Sequence, residues 1–200
     1  MIDKFESVCV ELKARYMKIL SLYYPAHGST GFTERNLTNN FVSAFEKILG
    51  ESCISWFEAP ICLNDGKHLD AVLFFESTTI LIEAKRLTSV NSQLVSIEKD
   101  IERMCSPKTI ELVEKKLRLQ KGDRTRYAIV LCDVWTENNQ KEAAFRSWPE
   151  QLPENYLADL VFNKKMSFND LDVEGDWKNN YKIMIATCKV GSAKSALSPS

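Results

Sequence analysis

The sequence is short of the residues that break or staple a chain. Its 200 positions hold 7 glycines and 6 prolines beside 44% hydrophobic and 26% charged residues, which excludes collagen-like, low-complexity and disordered chains. Histidine occurs only at His27 and His68, and the six cysteines (9, 53, 62, 105, 132 and 188) contain no C-x-x-C pair. That spacing excludes the usual structural zinc sites, and each cysteine lies in an apolar stretch that reads it as a buried thiol. Apolar runs such as 71–75 and 79–82 fall far short of the roughly 18 residues that a membrane helix needs, so no membrane partner is expected. The first residues, Met1 to Glu6, mix charges into an amphipathic pattern and lack the apolar centre of a signal peptide, which predicts a cytoplasmic protein.

What remains is an ordinary core-forming composition. One domain over 1–190 is expected, with a flexible Ser- and Ala-rich tail at 191–200. Net charge is -1, yet it is unevenly spread. Residues 108–126 carry seven basic side chains against three acidic, and 150–177 carry seven acidic against two basic. A basic strip of this kind could follow a phosphate backbone, or be the solvated face of a helix.

Periodicity divides the chain. Phe5, Val8, Cys9, Leu12, Tyr16, Ile19, Leu20 and Tyr23 keep helical spacing and predict a helix over 3–23. Thr33 is an N-cap for a second helix, with Leu37, Phe41, Ala44, Phe45 and Ile48 on one stripe and Gly50 as its stop. Strands are expected at 54–63, 68–75 and 79–86, as a meander. Helical spacing returns at Val90, Leu94, Ile97, Ile101 and Met104, and Ser106-Pro107 opens a further helix to about Leu119. Residues 127–134 are almost continuously apolar, as in a strand covered on both faces, with a helix over 136–148 behind it. Residues 149–180 read as mostly loop, and 181–190 as a last strand.

The chemistry concentrates at Asp70 and at Glu83-Ala84-Lys85. An acidic residue two before a lysine occurs five times, so the triplet alone carries no weight. Only Glu83/Lys85 ends an apolar strand. Alternation puts Glu83 and Lys85 on one face with Leu81, and a two-residue turn at Glu76-Ser77 places Asp70 directly across from Glu83. Opposed side chains of this kind lie roughly 5 Å apart, and two like charges so placed destabilise a sheet unless something neutralises them. A divalent cation would, with hard oxygen ligands suiting Mg2+ or Mn2+. Beside it, Lys85 could orient or deprotonate a water or hold a phosphate, which is the equipment of phosphodiester hydrolysis. The bland alternative is an ion pair between Asp70 and Lys85 or Arg86. Glu34 extends the buried stripe of the second helix toward the sheet, or is a first-turn glutamate favoured by the helix dipole. Gln93 and His68 border the same region and could touch a substrate or merely line its rim.

These residues resemble the PD-(D/E)XK nuclease superfamily. That family has an α-β-β-β-α-β core with an acidic residue on its first helix, an aspartate on its second strand and E-x-K on its third. Glu34, Asp70, Glu83 and Lys85 fall in that order over residues 33–134. His68-Leu69 stands where the naming proline would be, and Ile97 where the RecB-like branch has tyrosine, so no branch is assigned. The resemblance implies a restriction-endonuclease-like α/β fold, a mixed central sheet flanked by helices, with an extra N-terminal helix and C-terminal additions. It also implies Mg2+ or Mn2+ on Asp70, Glu83 and the Ala84 carbonyl, water positioned by Lys85, and assistance from Glu34. The expected activity is metal-dependent hydrolysis of nucleic acid, DNA above all. The alternative is a catalytically inactive nuclease-fold module that binds nucleic acid or protein. Cleavage of both strands would favour a homodimer, with the first helix as a candidate interface.

Overall fold

The computed structural model describes residues 1–22, 32–61, 66–115 and 123–191. The chain folds as α1 (Ile2–Leu22), α2 (Glu34–Leu49), β1 (Cys53–Pro60), β2 (His68–Phe75), β3 (Thr78–Arg86), α3 (Val90–Cys105), α4 (Pro107–Lys115), β4 (Thr125–Trp135), α5 (Asn139–Arg146), α6 (Glu154–Ala158), β5 (Leu160–Ser167) and β6 (Tyr181–Val190). This is an α/β architecture around one six-stranded mixed sheet, with strand order β1-β2-β3-β4-β6-β5.

The expected meander is present. β1, β2 and β3 pair antiparallel, and the turn at Glu76-Ser77 sets Phe75 opposite Thr78 and Ala71 opposite Ile82. β4 runs parallel to β3, the connection that requires a helical crossover, which α3 and α4 supply. It lies at the centre of the sheet, between β3 and β6, as its unbroken apolar run implies.

Strand alternation splits the core into two layers. Ala71, Leu73, Ile80, Ile82, Ala84, Ile129 and Leu131 pack under α1 and α2, whereas Val72, Phe74, Leu81, Val130 and Cys132 pack under α3 and α4. α1 directs Phe5, Val8, Leu12, Tyr16 and Leu20 into the first layer, so its apolar stripe serves the chain's own core. The aromatic side chains of Phe74 and Trp135 are both buried. Tyr156 anchors the later segment by donating its hydroxyl to Ala128 O at 3.0 Å and Ala186 O at 2.8 Å.

Two expectations change. Within residues 149–180, read as mostly loop, the structure adds β5, which pairs along β6, and α6, which precedes it. β5 is an edge strand, and Asn163, Lys164 and Lys165 hide its apolar signal because such a strand needs only part of its surface buried. Of the cysteines, Cys9, Cys132 and Cys188 are buried but Cys53 and Cys105 only half so, and Cys62 lies outside the described residues. The expected end of the fourth helix near Leu119 and the tail from 192 also lie outside them.

Thr33 caps α2 as expected, its side chain accepting from Asn36 N at 3.2 Å, and Gly50 closes the helix at φ 71. Thr33→Ala should cost about 1 kcal/mol by urea denaturation, with Thr33→Asp close to the parent, since an Asp side chain can accept from Asn36 N in its place.

Candidate functional site

The site forms where β2 leaves its neighbours. The β2–β3 ladder ends at Ala71 and Ile82, and the β1–β2 ladder skips the Glu58/Asp70 position between Phe57–Ala71 and Ala59–Leu69. Glu58 there has φ 51, a left-handed conformation costly for a residue with a Cβ. Asp70 is thus unpaired in the ladders on both sides. The expectation that it stands directly across from Glu83 is corrected: the turn sets the register, but the strands diverge one residue before the pair forms.

Divergence strips β3 of the partner for its last N–H groups on that edge, and two carboxylates replace it. Ala84 N donates to Asp70 Oδ2 at 2.7 Å, and Arg86 N donates to Glu34 Oε1 at 3.0 Å. Glu34 therefore does reach from the buried side of α2 to the sheet, and is half-buried. The Arg86 guanidinium turns back to donate to Phe32 O. In an extended strand the N–H and C=O of one residue point the same way, so the Ala84 carbonyl shares the edge with Asp70.

Glu83 and Lys85 project from the other face of β3, toward α3, and there meet two residues that the motif reading missed. Arg103 Nη2 lies 2.5 Å from Glu83 Oε1 and 2.7 Å from Asp100 Oδ1, and Lys85 Nζ lies 3.0 Å from Asp100 Oδ2. The expected alternative, an ion pair of Asp70 with Lys85 or Arg86, is corrected: Asp70 accepts from Ala84 N, while Glu83 pairs with Arg103 and Lys85 with Asp100. Asp100 is 5% exposed and Glu83 3%. The signal for Asp100 was available: it sits between Ile97 and Ile101 on the apolar stripe of α3, the same argument that singled out Glu34.

The electrostatics set the protonation states. The Glu83 carboxyl is pushed up to about 8, first by burial and then by the Asp70 charge, with Arg103 offsetting part of this. Lys85 is held above its ordinary value, because although burial disfavours its charge, Asp100, Glu34 and Glu83 together outweigh burial. Lys85 is therefore a fixed ammonium and not a base for water. Glu83 feels the Asp70 charge, and Lys85 feels those of Glu34 and Glu83. Behind them, Asp133 at the end of β4 is fully buried and raised to about 7 by burial, with Tyr181 Oη donating to it at 3.2 Å.

The two accessory residues take rim roles. Gln93 Oε1 accepts from Ser89 N at 2.8 Å and its amide donates to Thr88 Oγ1 at 2.9 Å, so it caps its own helix. His68 is exposed and pairs with Glu58 Oε2 at 2.8 Å.

Among the described residues no group of three or more His, Cys, Asp or Glu side chains is arranged to hold a metal ion. Of the carboxylates expected as ligands, Asp70 accepts from Ala84 N and Glu83 is held by Arg103 on the α3 face of β3. A buried carboxyl raised by a carboxylate neighbour is what an added cation would relieve, and Arg103 could release Glu83 while keeping Asp100. No family model, curated protein or solved structure matches the chain. No helix among the described residues is long and apolar enough to cross a membrane.

Glu83 keeps its proton to about pH 8 when folded but only to about 4.5 when unfolded, so stability falls as pH rises through that window. Glu83→Gln should remove the fall. Its Tm should exceed the parent's by several degrees at about pH 9 and converge with it near pH 4, and a lower Tm at the alkaline end would show that the Arg103 pair dominates instead.

Proposed function

We propose that the chain is a metal-dependent nuclease of PD-(D/E)XK type, on a restriction-endonuclease-like core, hydrolysing phosphodiester bonds in nucleic acid with DNA as the leading substrate. The observation that carries this reading is the opening of the sheet at Asp70, which sets its carboxylate on Ala84 N near a Glu83 whose carboxyl is raised to about 8 and a Lys85 whose charge is favoured. The element order α2-β1-β2-β3-α3-β4, with α4 inserted before β4, supports it. An ordinary sheet gains nothing by burying like charges at a broken ladder, so the arrangement favours a site over a structural accident.

The residues divide the work. Asp70, Glu83 and the Ala84 carbonyl would hold Mg2+ or Mn2+. When bound, such an ion offsets the negative charge that builds on phosphorus and favours deprotonation of water. Lys85, a fixed ammonium on Asp100, orients the water and attracts the non-bridging phosphate oxygen. Glu34 accepts from Arg86 N and so fixes the end of β3 against α2, which holds Lys85 in place. Arg103 contacts both Glu83 and Asp100, so it would keep Asp100 as a partner if Glu83 turned to a bound ion.

One observation favours the catalytically inactive module: Arg103 already satisfies Glu83, so the charge problem has a solution without metal. Incubation with duplex and single-stranded DNA and RNA in Mg2+ or Mn2+ separates the two. Cleavage abolished by chelator, and lowered about a hundredfold or more by Asp70→Asn and by Lys85→Ala with nucleic-acid binding retained, supports the nuclease. Binding without any cleavage supports the inactive module, and cleavage indifferent to both substitutions overturns this assignment.

A further inference from the structure

A cavity of about 310 Å³ opens beside Asp70, between the start of α2 and the edge strand β1, lined by Arg35, Thr38, Asn39, Phe57, Glu58 and Asp70. We propose that it receives one unpaired nucleotide of the substrate, so that nucleic acid is presented to the site single-stranded. This deepens the nuclease reading of Asp70, Glu83 and Lys85 and rests on it. The volume is at the small end of ligand pockets and suits one base with its sugar, so a paired base would have to leave its stack to enter.

The walls carry the matching chemistry. Phe57 is 38% exposed on an edge strand, presenting an aromatic surface on which any base can stack. The Asn39 amide, exposed on α2, offers both donor and acceptor to a base edge. Arg35 at the mouth suits a phosphate, and its present pair with Glu58 at 2.8 Å is exposed and cheaply exchanged. The Glu58 carboxylate, on a residue with a left-handed backbone, lies 2.8 Å from Arg35 Nη2 and 2.8 Å from His68 Nε2. Because Asp70 forms part of the wall, a base held there places its own phosphate linkage beside the proposed metal ligands. Of the described part of the basic stretch, Arg126 is held by Glu114, and Arg124 by Thr79 and two carbonyls.

Fluorescence anisotropy on the full chain in chelator, where nothing is cut, tests this with labelled single strands of about 12 nucleotides, DNA and RNA, and the matching blunt duplex. The single strand should bind at least about tenfold more tightly than the duplex. Phe57→Ala should weaken single-strand binding about tenfold and leave the duplex unchanged, Phe57→Tyr should restore it, and Asn39→Ala should weaken it where Phe57→Ala fails to fold by circular dichroism. A duplex bound equally well, absence of binding to every strand, or single-strand binding indifferent to Phe57 and Asn39 overturns the pocket. The two readings fail separately: selective binding with no cleavage in Mg2+ removes the nuclease alone, and duplex cleavage indifferent to Phe57 removes the pocket alone.

Discussion

Two backbone N–H groups on the edge of β3, at Ala84 and Arg86, have no strand to donate to, because β2 has turned away after Ala71. A half-buried N–H left without an acceptor costs on the order of 1–3 kcal/mol, and the chain meets this with carboxylates from two different elements, Asp70 of β2 and Glu34 of α2. The same contacts bring two acidic groups to the end of a strand that already carries Glu83 and Lys85. Opening the sheet and assembling the site are thus one event.

β3 joins the two layers of the core at this point. Its alternate residues face α2 and α3, so the acidic groups arrive from one side while Asp100 and Arg103 arrive from the other. Neither helix could supply the whole set, since each sees only one face of the pleat. The buried charges are compensated pairwise, yet Glu83 remains raised to about 8, which marks it as the least satisfied member. Groups held in so unfavourable a state are commonest where chemistry and not stability sets the requirement.

Much of this was legible beforehand, for identifiable reasons. The two-residue turn at Glu76-Ser77 dictates the hairpin register, and the Thr33 cap with the stripe Leu37–Phe41 aims Glu34 at the sheet. Asp100 was equally visible on the stripe of α3 but belonged to no motif. Arg103 is one turn further on, and only contact with Glu83 gives it meaning. β5 escaped because an edge strand with Asn163, Lys164 and Lys165 has no apolar alternation to find.

Local sequence therefore determined the elements, the meander and the shared face of Glu83 and Lys85, because caps, turns and periodicity act within a few residues of themselves. Where the ladder ends was decided only in three dimensions. That end depends on Glu58 turning to φ 51, on α2 delivering Glu34 to Arg86 N, and on α3 setting Arg103 against Glu83. These contacts join positions 20 to 52 residues apart in the chain, and no periodicity reports a hydrogen bond across such a separation.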